Sequence, residues 1–295
     1  MKNKLNSNYM YIVFILLAGF LWGFIGFFSI EISNIGYSAI DITFIRNAIA
    51  TLGLFLIICI KDKKYFYINI KDIWMFLATG IGSIVFFNVM YFLTINTLNL
   101  SLAAILLYTG PFFVVLLSSL FFKEKLTKLK ILVLIIASIG CSLTVGVANG
   151  IGSVSAIGII TGLLSGLGYG LYSIFGKIAL RKYSSYTVTF YTFLVASVSL
   201  SIFCIDYNFV QGFSNPLVIV FSIGLGIIST LAPFILYTTG LLNVEAGKAS
   251  IMTFSEPVVA TIIGVFIFKD VITIGGIIGI IMIFMALVLL NISKS

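Results

Sequence analysis

Few side chains in this sequence could do chemistry, and nearly all of them sit among apolar neighbours. Glu256 is the one acidic residue well inside a long apolar run, and Pro257 follows it. In a membrane-crossing run a charge at that depth costs about 2.5–3.5 kcal/mol on insertion scales, so it faces protein or water and marks a pathway. Two roles suit it: a cavity carboxylate that binds a cationic group or exchanges a proton, or a structural carboxyl that is protonated or accepts hydrogen bonds where the proline breaks the backbone. Arg46 is the basic residue inside another apolar run. Its planar guanidinium suits carboxylate or phosphate recognition. Snorkelling to an interface, or pairing with Asp41 or Glu31, is the structural alternative. Trp22, Tyr91, Tyr108, Tyr169, Tyr172 and Tyr237 each combine an apolar ring with one polar tip, which suits a pocket for an amphipathic metabolite. With 15% of the chain aromatic, most such rings must be core or interfacial belt. Asn88 is the deeper of the asparagines in its segment and a further polar candidate.

Absences bound the chemistry further. There is no histidine, which excludes His-ligated metals, Ser-His and Cys-His nucleophilic pairs and a histidine proton relay. Cys59, Cys141 and Cys204 lie singly in apolar runs without C-x-x-C spacing and read as small buried hydrophobes. No Gly-rich phosphate loop, metal cluster or nucleophile elbow is present, so no metal, no cofactor, no ATP-driven pump and no enzyme is expected.

The elements that must position these residues are set by composition. Of 295 residues 61% are apolar and 9% charged, against about 45–50% and 25% in soluble domains. The solvent for that surface is lipid. At about 20 residues per span, ten apolar segments can be marked near 9–30, 39–60, 72–94, 102–122, 129–147, 156–180, 186–205, 216–241, 249–268 and 273–292. The first is too long for a signal-peptide core and lacks an A-x-A-like exit, so it reads as an uncleaved span. Separators such as KDKKYFYINIKD and KEKLTKLK carry the charges and are too short for a soluble domain. Counting from a cytoplasmic N-terminus, 15 of 17 Lys and Arg fall on inner segments. The positive-inside bias therefore puts both termini in the cytoplasm. It also accounts for the net charge of +8 without a nucleic-acid partner.

The halves repeat. At a spacing of 146 residues Pro111 meets Pro257, Lys123 meets Lys269, Glu124 meets Asp270, Tyr91 meets Tyr237, Gly80 meets Gly226 and Ser83 meets Ser229. Earlier in the chain the spacing slips to 147, pairing Gly19 with Gly166, Gly23 with Gly170 and Trp22 with Tyr169. Residues 1–148 thus form one unit and 149–295 a second. Five spans per unit is an odd number, so the second copy enters from the opposite side, the inverted-repeat plan of secondary transporters. Pro111, Pro233 and Pro257 lie within spans and mark kinks. Gly19, Gly23, Gly162, Gly166 and Gly170 make small-x-x-x-small faces for close helix packing or dimerisation. Lys123 with Glu124, and Lys269 with Asp270, sit just past helix ends and read as interfacial anchors and loop pairs.

Both halves resemble the EamA domains of the drug/metabolite transporter superfamily. The likeness rests on FLWGF (20–24), FIRNAIATL (44–52) and LSLAAILLYTGPFFVVLLSSLFFKEKLT (100–127), and on GLGYGLYSIFGK (166–177) and AGKASIMTFSEPVVATIIGVFIFKDVIT (246–273). Gly110 stands where the first repeat of the family often has Ser, and Asp270 where it usually has Glu. The resemblance implies a ten-helix, all-α membrane bundle around a central cavity lined mainly by helices 1, 3, 4, 6, 8 and 9. It implies a secondary-active or facilitative transporter working by alternating access, with efflux of amino acids or related metabolites and drugs the first expectation. Uptake of a vitamin, cofactor or nucleotide-type metabolite is the second, and a non-transporting membrane protein the reading from a different class. The expected partners are a small-molecule substrate and the bilayer, with the chain a monomer or homodimer. Heavy use of Lys over Arg (15 against 2) fits an AT-rich bacterial genome and hence the cytoplasmic membrane.

Overall fold

In lipid the backbone must satisfy its own hydrogen bonds, so apolar runs of this length become helices. A computed structural model describes residues 2–145, 155–204, 209 and 212–292, with side chains from residue 9. The expected boundary between residues 148 and 149 lies outside the described residues. Among the described residues nine helices are long and apolar enough to cross a bilayer: α1 Tyr9–Asn34, α2 Ala39–Lys61, α3 Ile70–Thr97, α4 Leu100–Phe122, α6 Ala156–Ala179, α7 Ser185–Cys204, α8 Pro216–Gly240, α9 Ala246–Ile267 and α10 Ile274–Ile292. The tenth expected span is the shorter α5, Lys128–Thr144, of 17 residues. It packs along α10 at a glycine crossing, where a Cβ on Gly140 would stand 2.8 Å from the Gly279 carbonyl oxygen.

The structure repeats the irregularities of one half in the other. Helix α4 breaks between Leu107 and Gly110, and α9 between Met252 and Ser255. In each the second piece starts just before its proline, where the missing N–H and the ring exclude a continuous ladder. Helix α3 widens to π geometry over Gly80–Val85 and α8 over Gly224–Leu231. The kink expected at Pro233 is therefore this wide turn, and α3 makes the equivalent turn with no proline at all. Lys123 and Lys269 both end their helices in the left-handed region, at φ 56° and 61°.

The glycine faces serve packing inside the bundle. A Cβ at Gly19 would meet Ser255 Oγ at 2.1 Å and one at Gly23 would meet Val259 Cβ at 2.5 Å, which seats α1 on α9. A Cβ at Gly166 would meet Thr109 Oγ1 at 2.4 Å and one at Gly170 would meet Val114 Cγ2 at 2.9 Å, seating α6 on α4. All four side-chain ion pairs among the described residues fall at the lysine-rich end: Lys64–Asp62, Lys130–Glu245, Lys177–Glu124 and Lys182–Asp72.

Candidate functional site

The break in α9 places Glu256 on the first turn of its second piece, facing the bundle interior. Tyr108 and Tyr169 bring their hydroxyls beside the carboxylate, and Tyr91 and Arg46 lie within electrostatic reach of it. Glu256, Arg46, Tyr91, Tyr108, Tyr169 and Asn88 are all partly exposed. The Glu256 oxygens, the Arg46 terminal nitrogens and the Tyr91 and Tyr108 hydroxyls are not sealed from solvent. These polar groups cluster at mid-span around Glu256. Tyr169 differs, because its hydroxyl is buried with no well-formed hydrogen bond although it lies next to Glu256 and Thr253.

Arg46 pairs with neither Asp41 nor Glu31. Asp41 is engaged in a capping box with Ser38, and Arg46 donates from Nε to Thr230 Oγ1 at 3.1 Å. Thr230 lies on the wide turn of α8 and donates in turn to the Leu225 carbonyl at 2.8 Å. This anchors the base of the guanidinium and leaves its two terminal nitrogens without a partner among the described residues. Arg46 forms no ion pair with Glu256. Arg46 and Glu256 therefore lie within electrostatic reach of each other without touching, and a buried acid and base left unpaired are costly when ionised unless a third party satisfies them. Thr230 was not visible in the sequence as a site residue, because a Thr in an apolar run carries no signal of its own.

Gly110, the repeat counterpart of Glu256, has a spatial reason. A Cβ there would stand 2.8 Å from the Tyr169 ring and 3.0 Å from the Gly166 carbonyl oxygen. The missing side chain lets Tyr169 lie across α4 toward Glu256. Asn88 bridges α2 and α3, accepting from Thr43 Oγ1 at 3.3 Å and donating to the Ile84 carbonyl at 2.7 Å.

The other aromatic candidates are placed differently. Trp22, Tyr172 and Tyr237 are buried. Trp22 packs against Phe234 and Tyr237 with ring centroids 5.1 and 5.3 Å apart, and Phe234 also meets Phe193 at 4.9 Å. Tyr237 bonds Ser173 at 2.7 Å and Tyr172 bonds Thr238 at 2.6 Å. These rings join α1, α6, α7 and α8 into one plug, sealed in this conformation.

At the lysine-rich end the loop pairing expected for Lys123 and Glu124 is absent. Lys123 is exposed, and its left-handed conformation turns the chain so that Glu124 points back into the bundle. Glu124 accepts from the backbone N–H of Ala246 at 2.7 Å and Gly247 at 3.0 Å, and from Lys177 Nζ at 3.1 Å. Lys177 also donates to the Val244 carbonyl at 2.8 Å. Burial alone would raise the Glu124 pKa, but the Gly247 N–H, the Lys177 charge and the Ala246 N–H outweigh it and hold the carboxyl below its usual range. Asp270 forms no ion pair with Lys269 either, whose ammonium donates to the Phe266 carbonyl at 3.1 Å.

The sequence matches the EamA-like transporter family twice, over residues 9–146 and over 156–292. A protein of Archaeoglobus fulgidus described as an uncharacterized transporter is 28% identical over 265 residues, 90% of each chain. The pseudopaline exporter CntI of Pseudomonas aeruginosa is 27% identical over 164 residues, 54% of each chain. A solved crystal structure superposes with a TM-score of 0.79 over 96% of each chain at 14% identity, which shows the same fold. One family match per half, on a bundle of helices long and apolar enough to span a membrane, makes the chain a multi-pass membrane transporter of the EamA-like family.

Proposed function

We propose that this transporter exports a small zwitterionic metabolite, an amino acid or a close relative, across the cytoplasmic membrane by alternating access. The observation that carries the reading is the pair Arg46 and Glu256, a base and an acid within electrostatic reach of each other in the bundle with no ion pair between them. A ligand bearing a carboxylate and an ammonium group would satisfy both, with the free guanidinium nitrogens taking the carboxylate and Glu256 the ammonium. Tyr91, Tyr108 and Tyr169 supply apolar walls with polar tips for the rest of the molecule. The lysine-rich end is the cytoplasmic one, by the positive-inside bias of 15 of 17 cations. The direction follows the relative in Pseudomonas aeruginosa whose name is that of an exporter.

Flux in proteoliposomes tests it. Protein-containing vesicles should carry one or more labelled amino acids faster than empty ones. They should discriminate against the matching amine that lacks the carboxylate and the acid that lacks the ammonium. Glu256→Gln keeps shape and removes charge, and it should lower uptake at least tenfold while the protein folds and inserts. Flux that is indifferent to both the analogues and this variant would mean the carboxylate is structural and the zwitterion reading wrong.

A further inference from the structure

We infer that Glu124, Lys177 and the start of α9 form the gate of the lysine-rich end, and that this gate alone is closed here because its repeat counterpart at the other end is disengaged. The two ends can be compared residue by residue. Glu124 and Asp270 follow the two left-handed lysines, and their backbone N–H groups reach back to the Ser118 and Gly264 carbonyls at 3.4 and 3.1 Å. Ser118 and Gly264 are themselves 146 residues apart. The two acids are therefore delivered by the same backbone turn at opposite ends of the bundle.

What they then do differs. The Glu124 side chain is 8% exposed and ties the ends of α4 and α6 to the first turn of α9. The repeat counterparts of Ala246 and Gly247 are Leu100 and Ser101, at the start of α4. No bond joins Asp270 to them; Leu100 and Asp270 are both exposed, and Asn99 caps that helix itself by accepting from the Leu102 N–H at 2.8 Å. The first piece of α9 packs closely on the second piece of α4, while the matching pair, the first piece of α4 and the second piece of α9, stands apart. The buried plug of Trp22, Phe234 and Tyr237 completes the closure, whereas Tyr91 and Tyr108 stay partly exposed.

The cation is also one-sided. Counting back 146 or 147 positions from Lys177 gives Glu31 and Ile30, so Asp270 has no counterpart of Lys177 to reinforce it. The lysine-rich gate is thus a charge-assisted clamp and its counterpart can be at most a helix cap, which biases the resting protein toward the conformation open away from the lysines. For the cleft to open toward the lysine-rich end, the Glu124 bonds to Ala246, Gly247 and Lys177 must break together.

The test is accessibility, which needs no substrate and so stands apart from the zwitterion reading. In a background with Cys59, Cys141 and Cys204 replaced by Ser, Asn88→Cys reports cleft access to an impermeant thiol reagent in vesicles of each orientation. With the clamp intact, labelling should be fast from the face away from the lysines and slow from the lysine face. Glu124→Gln and Lys177→Met should each raise lysine-face labelling at least fivefold and lower opposite-face labelling in step, while Asp270→Asn leaves both within twofold. Unchanged ratios in folded Glu124 and Lys177 variants would overturn the gate.

Should those variants fail to insert, Ser118→Cys with Gly247→Cys gives an answer without disturbing the charges, because a Cβ on Gly247 would stand 3.2 Å from Ser118 Oγ. If the clamp opens in the working protein, oxidising this pair slows amide exchange of Ala246–Met252 at least tenfold relative to the reduced form. Equal exchange in both forms would show a static contact and sink the idea.

Discussion

The two repeats agree wherever the bundle must be built and differ wherever a charge is placed. Both have a wide turn in their third helix, a broken fourth helix with a proline, a glycine-faced first helix and a left-handed lysine. Yet Glu256 faces Gly110 as its counterpart. Counting on 146 or 147 positions from Arg46 gives Thr192 and Phe193, neither of them charged and both buried. Glu124 is clamped and Asp270 is free of any such clamp. Symmetry here carries architecture, and departures from it carry chemistry. A transporter needs both, because its two ends must be able to trade places around a site that binds a single ligand in one orientation.

That contrast can be attacked at its most rigid point first. A Cβ at Gly166 would meet the Leu106 carbonyl oxygen at 2.7 Å, backbone that cannot yield, whereas the closest obstacle at its counterpart Gly19 is the rotatable Ser255 Oγ. Gly166→Ala should therefore lower stability by about 1–3 kcal/mol and Gly19→Ala by clearly less, read from thermal unfolding in detergent. Equal losses would mean the two helix crossings are not distinguished by what they touch.

A second probe is acid. Glu124 has a folded pKa below its ordinary value of 4.5. Its contribution to stability is thus complete above that value and lost as pH falls through the lower folded one. The protection factors of Ala246 and Gly247, exchange taken relative to the intrinsic rate at each pH, should fall over that acid window in the native chain and be flat in Glu124→Gln; parallel profiles would assign the protection to packing instead.

Smaller and symmetric is the effect expected at the left-handed lysines. Lys123→Gly and Lys269→Gly should each stabilise by about 1 kcal/mol or less, because glycine adopts φ near 60° without steric cost. A gain at one position alone would break the equivalence of the two turns. Smallest of all is Asp270→Asn, expected within about 0.5 kcal/mol as an exposed, unclamped site; a larger loss in the melting curve would reveal a partner the described residues do not show.

Much of this was legible in the sequence. Apolar run lengths and cation placement fix the spans, and rare residues at a constant offset expose the repeat. The solitude of Glu256 in its run marked it before any coordinate did, since an acid at depth must have a reason. Other features depend on distance along the chain. Glu124 meets Lys177 and Ala246, residues 53 and 122 positions away, so local reading could offer only the adjacent lysines. The anchoring of Arg46 by Thr230 spans 184 positions and has the same cause. The division of the tyrosines into cleft and plug is likewise set by which helices are pressed together, while Trp22, Tyr172 and Tyr91 share the same amphipathic chemistry.

The wide turns at Gly80–Val85 and Gly224–Leu231 have a consequence for the phase of their helices. Each added residue advances a helix by about 100°, so a π turn resets which stripe faces inward for everything beyond it. In α3 that reset lies upstream of Asn88 and Tyr91. Their aim into the cleft is therefore a property of the insertion as much as of the residues themselves. Removing one codon between 80 and 85 would leave an apolar, well-formed spanning helix whose far half points its asparagine and tyrosine elsewhere. A frame-preserving deletion would then silence the site while touching none of the residues that compose it.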